Sequence, residues 1–311
     1  MQTWTGKFFN LKLFRMVLFA LLALTSTPTA ADKKNILIIQ SSENTFFTIT
    51  IQKLMSEALA GTEFQVASLK TITEDDSALQ QATYVVTLGL DAADYTHQAA
   101  PQKTVLHSYI TEFQSQKHAL SPHHHLVLLD QPPQRYLKFI QLLLASKNIG
   151  IIKNKSTALK PEKIQALNST LGIQLEQRLF EKGDNPVNTV RNLLHTNDVL
   201  LILPEPDVYN RNTLKGILLT SYRQQKPVIS YSPSQVKSGA LAAIFASPEQ
   251  IGRQLAGLLN KILLDEELKL DSVYFASEFD ISFNPNVAKS LGLILPDRED
   301  LLRKLRQDQT R

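Results

Sequence analysis

Short apolar runs and amphipathic segments alternate along most of the chain. The runs 35–40 and 84–88 are almost wholly apolar and bounded by polar residues, which is typical of buried parallel strands. The segments 46–59 and 134–145 have the spacing of amphipathic helices. The series of strand, loop and helix then starts again at residues 148–152. This repeated order predicts an α/β protein with two doubly wound parallel-sheet lobes joined by a hinge.

The first 31 residues have a different pattern. Three basic residues precede the run 16–24, which is entirely apolar, and small residues follow it. This order is typical of a secretory signal peptide, and the apolar run is far shorter than the roughly 20 residues that span a bilayer. We expect cleavage near Ala30 or Ala31 and a mature protein in the periplasm. The alternative is a short N-terminal anchor that stays attached.

The charge of the protein depends on this segment. The full chain has 33 basic and 29 acidic residues, for a net charge of +4. Without the three basic residues of the predicted signal peptide, the chain has 30 basic and 29 acidic residues. A nearly neutral chain without a basic stripe argues against nucleic acid as a partner. The chain has no cysteine, so we expect neither disulfides nor a lipid anchor on cysteine.

Several segments of the second half carry a recognisable set of motifs. They are Leu129-Asp-Gln-Pro-Pro-Gln-Arg-Tyr, Leu201-Ile-Leu-Pro-Glu-Pro-Asp, Val236-Lys-Ser-Gly-Ala-Leu-Ala and Phe283-Asn-Pro-Asn-Val-Ala-Lys-Ser-Leu-Gly. With them, residues 126–296 resemble the substrate-binding proteins of ABC transporters, in the group that includes tryptophan- and tyrosine-binding members. The first half matches in layout, with Gly89-Leu90-Asp91 in place of the Gly-Thr pair usual after the third strand.

This resemblance implies a type I periplasmic-binding fold with three hinge crossings. The N-terminal lobe would cover residues 32–130 and be completed by about 247–272. The C-terminal lobe would cover residues 131–246 and be completed by about 273–297, including one late strand that runs from Val273 toward Phe283. Residues 298–311 would remain as a charged C-terminal tail. The implied function is capture of a small molecule by a monomer that closes over it and delivers it to an ABC permease.

Ligand-binding candidates lie in the loops after predicted strands, because parallel sheets bind ligands at the carboxyl ends of their strands. Hydroxyls at a helix N-terminus suit an anion, acids accept from an ammonium group, and tyrosine rings stack on a ligand. The acids and hydroxyls together favour an amino acid or a similar zwitterion. For each candidate the alternative is helix capping, a turn or close packing. The candidates are Ser41, Ser42, Asn44, Thr45, Gly89, Asp91, Asp130, Asp207, Tyr209, Tyr231, Ser232 and Gly239.

The histidines His118 and 123–125 are the strongest metal-like feature. We expect residues 118–125 to form a solvated polar loop. The alternative is weak metal binding by His123 and His125 in an extended loop, since consecutive histidines cannot all face one metal.

The sequence shows no motif of a catalytic nucleophile, a metalloprotease or a phosphate-binding loop. We therefore expect no enzymatic activity, no cofactor and no resident metal. Two functions remain open besides the exported enzyme, which has the least support. One is a receptor for an ABC importer, and the other is an input protein for a membrane signalling partner such as a kinase or cyclase.

Overall fold

A computed structural model describes Met1, residues 34–116 and residues 121–307. His118 and, apart from Met1, the predicted signal peptide with its cleavage site lie outside the described residues. Within these ranges, no helix combines the length and the apolar character needed to cross a membrane.

Twelve strands form in the described ranges. They are β1 Asn35–Gln40, β2 Glu63–Ser68, β3 Tyr84–Leu88, β4 Thr104–Ile110, β5 His124–Leu128, β6 Asn148–Asn154, β7 Gln174–Phe180, β8 Val199–Leu201, β9 Val228–Ser230, β10 Ala242–Phe245, β11 Val273–Tyr274 and β12 Asp280–Phe283. A short 3₁₀ turn covers Lys155–Thr157. The helices are α1 Thr45–Glu57, α2 Leu69–Glu74, α3 Ser77–Gln81, α4 Leu90–Ala99, α5 Glu112–Ser115, α6 Pro133–Leu144, α7 Pro161–Leu171, α8 Pro186–Leu193, α9 Leu214–Arg223, α10 Pro233–Ser238, α11 Pro248–Leu264, α12 Pro285–Ser290 and α13 Arg298–Gln307.

The strands form two six-stranded sheets, one in each lobe. The first has the order β11-β5-β4-β3-β1-β2, and the second has the order β12-β10-β9-β8-β6-β7. Neighbouring strands are parallel except for β10 and β12. The chain passes between the sheets at 129–132, 246–247 and 275–279. The predicted fold class, two doubly wound lobes with a hinge, is confirmed.

Helices α1 and α11 pack closely on the first sheet although almost 200 residues separate them in sequence. The buried face of α1 includes Phe47 and Leu54, and it meets Leu255 of α11 in one apolar cluster. Gly252 permits the contact, because a Cβ there would lie 2.6 Å from the carbonyl oxygen of Thr50. This packing makes the return segment after the second crossing an integral part of the first lobe.

The late strand predicted from Val273 toward Phe283 is wrong in one respect, because it is two strands in different sheets. β11 pairs with β5 in the first sheet, and β12 pairs antiparallel with β10 in the second. Between them Ala276 and Phe279 are buried in the third crossing. Apolar residues therefore continue through the crossing, and their pattern does not reveal where the chain leaves one sheet for the other.

The predicted charged tail after residue 297 is also corrected, because α13 is a packed helix of the second lobe. Its charged residues surround a stripe of three buried leucines, Leu301, Leu302 and Leu305. These leucines belong to the same apolar cluster as Phe139 and Ile140 of α6. A helix with charges on most of its surface still contributes to a core through one narrow apolar stripe.

Truncation of this stripe should therefore destabilise the protein. We expect Leu301→Ala to lower the free energy of unfolding by about 2–5 kcal/mol, since it removes buried methyl groups and leaves a cavity. The matched control is Leu264→Ala, at a leucine that is 76% exposed, where we expect a change within about 0.5 kcal/mol. Urea unfolding measures both values. Equal effects of the two substitutions would contradict the packed position of α13.

The predicted solvated loop at 118–125 is wrong for its last two histidines. His124 and His125 begin β5 and are buried, whereas His123 is exposed. The described residues contain no cluster of metal-ligating side chains. Three consecutive histidines suggest a polar loop when only the sequence is available, because the sequence does not show their hydrogen-bond partners. In the structure the imidazole of His124 is satisfied by hydrogen bonds inside the first lobe.

These hydrogen bonds form a relay with one direction. Nε2 of His124 lies 3.2 Å from the carbonyl oxygen of Ala100, which can only accept, so this nitrogen carries the hydrogen. Nδ1 of His124 must then accept from Nε2 of His107, 3.0 Å away. Nδ1 of His107 in turn accepts from the hydroxyl of Thr87 at 2.6 Å. Burial lowers the pKa of both His107 and His124, so both rings are neutral, and with neutral rings these partners fix the tautomer of each.

The relay predicts that His107 resists protonation. Burial, with a smaller contribution from the neighbouring His124, lowers its pKa from 6.5 to about 3. A histidine with a lowered pKa stabilises the fold above its unfolded pKa of about 6.5, and that contribution is lost as the pH falls. In an NMR titration we expect the His107 ring to stay neutral down to pH 5, while it titrates normally in the urea-unfolded chain. Protonation of the folded ring near pH 6.5 would contradict the relay.

Candidate functional site

A narrow cavity lies where the two lobes meet, beside the first crossing. Its volume is about 30 Å³. The walls combine apolar side chains of the second lobe with a few polar and ionisable groups. The lining residues are Glu112, Asp130, Gln131, Pro133, Tyr136, Leu137, Ile151, Lys153, Leu159, Leu175, Leu201, Leu203 and Phe275.

Lys153 is the charged group at the centre of this cavity. It ends the apolar run of β6, is only 4% exposed, and carries its ammonium group between two carboxylates. Its Nζ lies 3.1 Å from Oε2 of Glu112 and 3.1 Å from Oε1 of Glu205. Glu112 belongs to α5 of the first lobe, whereas Lys153 and Glu205 belong to the second. The ammonium group therefore links the two lobes.

Glu205 is the fixed partner of Lys153. Its carboxylate accepts from the backbone N–H of Asn154 at 3.1 Å, from the side-chain amide of Asn154 at 2.7 Å and from the hydroxyl of Thr157 at 2.6 Å. Glu205 is 1% exposed, so these donors and the ammonium group replace the water that it lacks. Glu112 is partly exposed and is the partner more easily released.

Asp130 lies at the start of the first crossing and is buried. Its Oδ2 accepts from the backbone N–H of Glu112 at 2.7 Å. Burial raises the pKa of Asp130 to about 7, and the nearby charge of Glu112 adds to this rise, while the N–H donor and the ammonium group of Lys153 oppose it. The carboxyl group thus changes its charge near neutral pH.

Several buried polar atoms, two of them on residues that line the cavity, form no hydrogen bond of ordinary geometry with another described residue. Nε2 of Gln131 and the hydroxyl of Tyr136 belong to residues that line the cavity and are 2% and 1% exposed. The hydroxyl of Tyr209 and Oε1 of Gln235 share this property. An unpaired buried polar group costs about 1–3 kcal/mol, and most buried polar groups have a partner. Such a concentration is typical of a site for a polar ligand.

Arg135 connects two of the hinge crossings beside this cavity. Its Nη1 donates to Oε1 of Gln131, in the first crossing, and to the carbonyl oxygen of Ala276, in the third, at 2.7 Å. The guanidinium also lies over the ring of Phe279, 4.6 Å from its centre. The side chain thus ties together the two segments that flank the cavity.

The predicted candidates of the first lobe lie away from this cavity, at the carboxyl ends of β1 and β3. The Ser41 hydroxyl accepts from the N–H of Ala92 at 2.9 Å, and Asn44 caps α1 by accepting from the N–H of Phe47 at 3.0 Å. Gly89 has φ +98° and packs against Ser41, where a Cβ would lie 2.7 Å from Oγ. The side chains of three candidates are exposed, namely Ser42, Thr45 and Asp91.

The candidates of the second lobe and the hinge divide into two groups. Asp130 lines the cavity, and Tyr231 is close enough to it for the charge of Asp130 to raise the tyrosine's pKa, after the larger effect of burial. Tyr209 is buried near Tyr231, and burial is the main cause that raises its pKa. The structure therefore brings these three together. In the second group, Ser232 caps the N-terminus of α10, Gly239 ends that helix at φ +124°, and Asp207 is an exposed acid.

The sequence reasoning missed the residues that define the cavity. Lys153 follows directly on a predicted buried strand, and a lysine there is a usable signal because lysine is rarely buried without a partner. Gln131 and Tyr136 lie in the segment that carries the family resemblance, next to Asp130. Glu112 has no such signal, because its position opposite Lys153 depends on how the two lobes meet.

The fold has two lobes, with a cavity where they meet. The chain belongs to the family of ABC transporter substrate binding proteins, whose sequence model matches residues 135–305, more than half of its length. The resemblance inferred from the motifs is thereby confirmed. A comparison with curated protein sequences gave no match.

Solved structures of the same architecture include proteins from three bacteria. A ligand-free, open substrate-binding protein with adhesive properties from Clostridium difficile has a TM-score of 0.65 and 16% identity, with 86% of this chain and 97% of that chain covered. A domain in complex with L-Trp from Streptococcus pneumonia has a TM-score of 0.56, 15% identity and coverages of 88% and 98%. A conserved domain protein from Vibrio cholerae has a TM-score of 0.56, 18% identity and coverages of 87% and 98%. At these identities the similarity shows the fold.

The buried ion pair gives a test of the site's structure. We expect Lys153→Met to lower the free energy of unfolding by about 3–5 kcal/mol, since it removes the cation that compensates a buried carboxylate. The control is Lys226→Met, which breaks the more exposed pair with Asp198 and should cost less than about 1 kcal/mol. Chemical unfolding of both variants measures the difference. Similar losses in the two variants would show that Lys153 is not held as described.

Proposed function

We propose that this protein is a periplasmic receptor that captures a small molecule, such as an amino acid or a compound of similar size, and delivers it to an ABC permease. One observation carries the proposal: two buried side chains that line the cavity, Gln131 and Tyr136, carry unpaired polar atoms close to the titratable carboxyl group of Asp130. Ligand pockets typically combine apolar walls with a few convergent polar groups. Membership of the substrate-binding family supports the same function.

Capture would use the hinge. The cavity volume of about 30 Å³ is too small for an organic molecule, since a cavity that holds benzene measures about 150 Å³. The lobes must therefore separate to admit a ligand. Besides the crossings, the Glu112–Lys153 ion pair joins the lobes, and its partly exposed carboxylate gives an element that can release and re-form. Closure of two lobes about a hinge is a common way to bury a ligand.

We also propose that the protein binds its ligand without changing it and works as a monomer. The family and the fold are those of solute-binding proteins. No serine, histidine or cysteine is among the described residues that line the cavity, and these are frequent nucleophiles and bases of hydrolytic sites.

A thermal-shift screen against amino acids, amines, organic acids, nucleosides and sugars tests the proposal. A compound that binds the folded state at 100 times its Kd should stabilise it by about 2.7 kcal/mol. We expect Tyr136→Phe to weaken that compound about tenfold. The same variant should change the stability of the ligand-free protein by no more than about 1 kcal/mol, because the only described partner of this hydroxyl is a weak one, the backbone N–H of Gln131.

The matched control is Tyr222→Phe, at an exposed tyrosine, which should change neither affinity nor stability. The proposal is wrong if no compound of any class stabilises the protein. It is also wrong if the best compound binds the Tyr136→Phe variant and the unmodified protein equally well.

A further inference from the structure

We propose that Asp130 receives an ammonium group of the ligand, so that the ligand class is an organic amine with an apolar body. This inference rests on the proposed function and concerns the same cavity. The head group of the ligand would be positively charged, and no cation of the cavity would bind a carboxylate of the ligand.

The cation of the cavity is already engaged. Among the described lining residues, Lys153 is the one lysine or arginine. Its ammonium group contacts both Glu112 and Glu205 at 3.1 Å. A ligand carboxylate that took one of these positions would leave a carboxylate of the protein uncompensated in a buried place, which is costly. The cavity therefore disfavours a free anion.

Negative charge, by contrast, is in excess. Three carboxyl groups, those of Glu112, Asp130 and Glu205, lie around the single ammonium group of Lys153. Glu205 has its lone pairs occupied by Asn154, by Thr157 and by that ammonium group. Asp130 receives two backbone N–H groups, that of Glu112 at 2.7 Å and its own, and a carboxylate has about four acceptor positions. Asp130 is thus the carboxyl group with acceptor positions left for a ligand.

The groups that face Asp130 come from four elements. Glu112 reaches it from α5, Lys153 from β6, Tyr136 from α6 and Tyr231 from the end of β9. Burial raises the pKa values of Tyr136 and Tyr231 above the ordinary value, so both hydroxyls stay neutral. The charge balance around Asp130 is therefore set by Glu112, Lys153 and, through Lys153, Glu205.

The rest of the cavity suits an apolar body with one neighbouring acceptor. Nε2 of Gln131 has no acceptor among the described residues, and the hydroxyl of Tyr136, whose oxygen lies near the backbone N–H of Gln131, has none for its hydrogen. Both can therefore donate to a hydroxyl or carbonyl oxygen next to the ammonium group. The remaining wall is mainly aliphatic, formed by Leu137, Ile151, Leu159, Leu175, Leu201 and Leu203.

The affinity for an ammonium ligand should depend on pH in a defined direction. Burial raises the pKa of Asp130 to about 7, and an ammonium group pairs with the ionised form. Below pH 7 each binding event must first remove a proton, so the affinity falls by about tenfold per pH unit. At pH 5 the amine should therefore bind about 100-fold more weakly than at pH 8.

Calorimetry with matched compounds tests this inference. The probes are 2-phenylethylamine and hexylamine, each compared with the carboxylic acid of the same skeleton, 3-phenylpropionate and heptanoate, at pH 8, 6 and 5. We expect an amine to bind at least tenfold more tightly than its acid at pH 8. Asp130→Asn should weaken the amine at least tenfold and abolish the pH dependence. Asp198→Asn, at an exposed aspartate paired with Lys226, should leave both unchanged.

Three outcomes separate this inference from the proposed function. Tighter binding of the acids, or amine affinity that is independent of pH and of Asp130, overturns the inference. If neither amine binds, but sugars or other uncharged compounds bind and require Tyr136, the inference is wrong and the receptor function stands. If no compound in the screen binds, both are wrong.

Discussion

The ammonium group of Lys153 is the contact on which the site depends. A buried cation is tolerated only where carboxylates and hydrogen bonds replace water. Here Glu205 is held by Asn154 and Thr157, and this fixed carboxylate in turn holds Lys153 at the end of β6. One ammonium group thus organises the second lobe's face of the cavity and contacts Glu112 of the first lobe across it.

Asp130 connects this contact to the hinge. It lies at the start of the first crossing and binds the backbone N–H of Glu112. The start of the first crossing therefore positions Glu112, whose carboxylate reaches Lys153. The same segment continues directly into Gln131 and then Tyr136. Because parallel sheets place the carboxyl ends of their strands on one edge, a crossing that leaves β5 at this edge delivers its side chains to the interlobe space. The fold and the ligand site share these residues.

The repeated strand and helix order was enough to predict the two sheets, since apolar periodicity depends on local burial. It was not enough at residues 273–283, where apolar residues continue through a crossing, or at α13, where charges outnumber the buried leucines. The histidines 124 and 125 were misplaced because polar residues inside a strand require partners distant in sequence. These partners are His107 and Ala100 for His124, and the backbone of Asp271 for His125.

The site was less predictable than the fold. Asp130, Tyr209 and Tyr231 were candidates because they follow strands, and the structure brings them together. Asn44 and Ser232 also follow strands, yet both are ordinary helix caps, and Gly239 is the end of a helix. A position after a strand does not distinguish these cases. Lys153 and Glu112 acquire their roles only from pairing across the lobes, which a single sequence does not encode locally.

Arg135 has a mechanical consequence. Its guanidinium binds the side chain of Gln131 in the first crossing and the backbone of Ala276 in the third, so these two connections are coupled. A rotation that sheared one past the other would break both hydrogen bonds, whereas bending them together would preserve them. These two hydrogen bonds therefore favour motions in which the first and third crossings bend together over motions that slide one past the other.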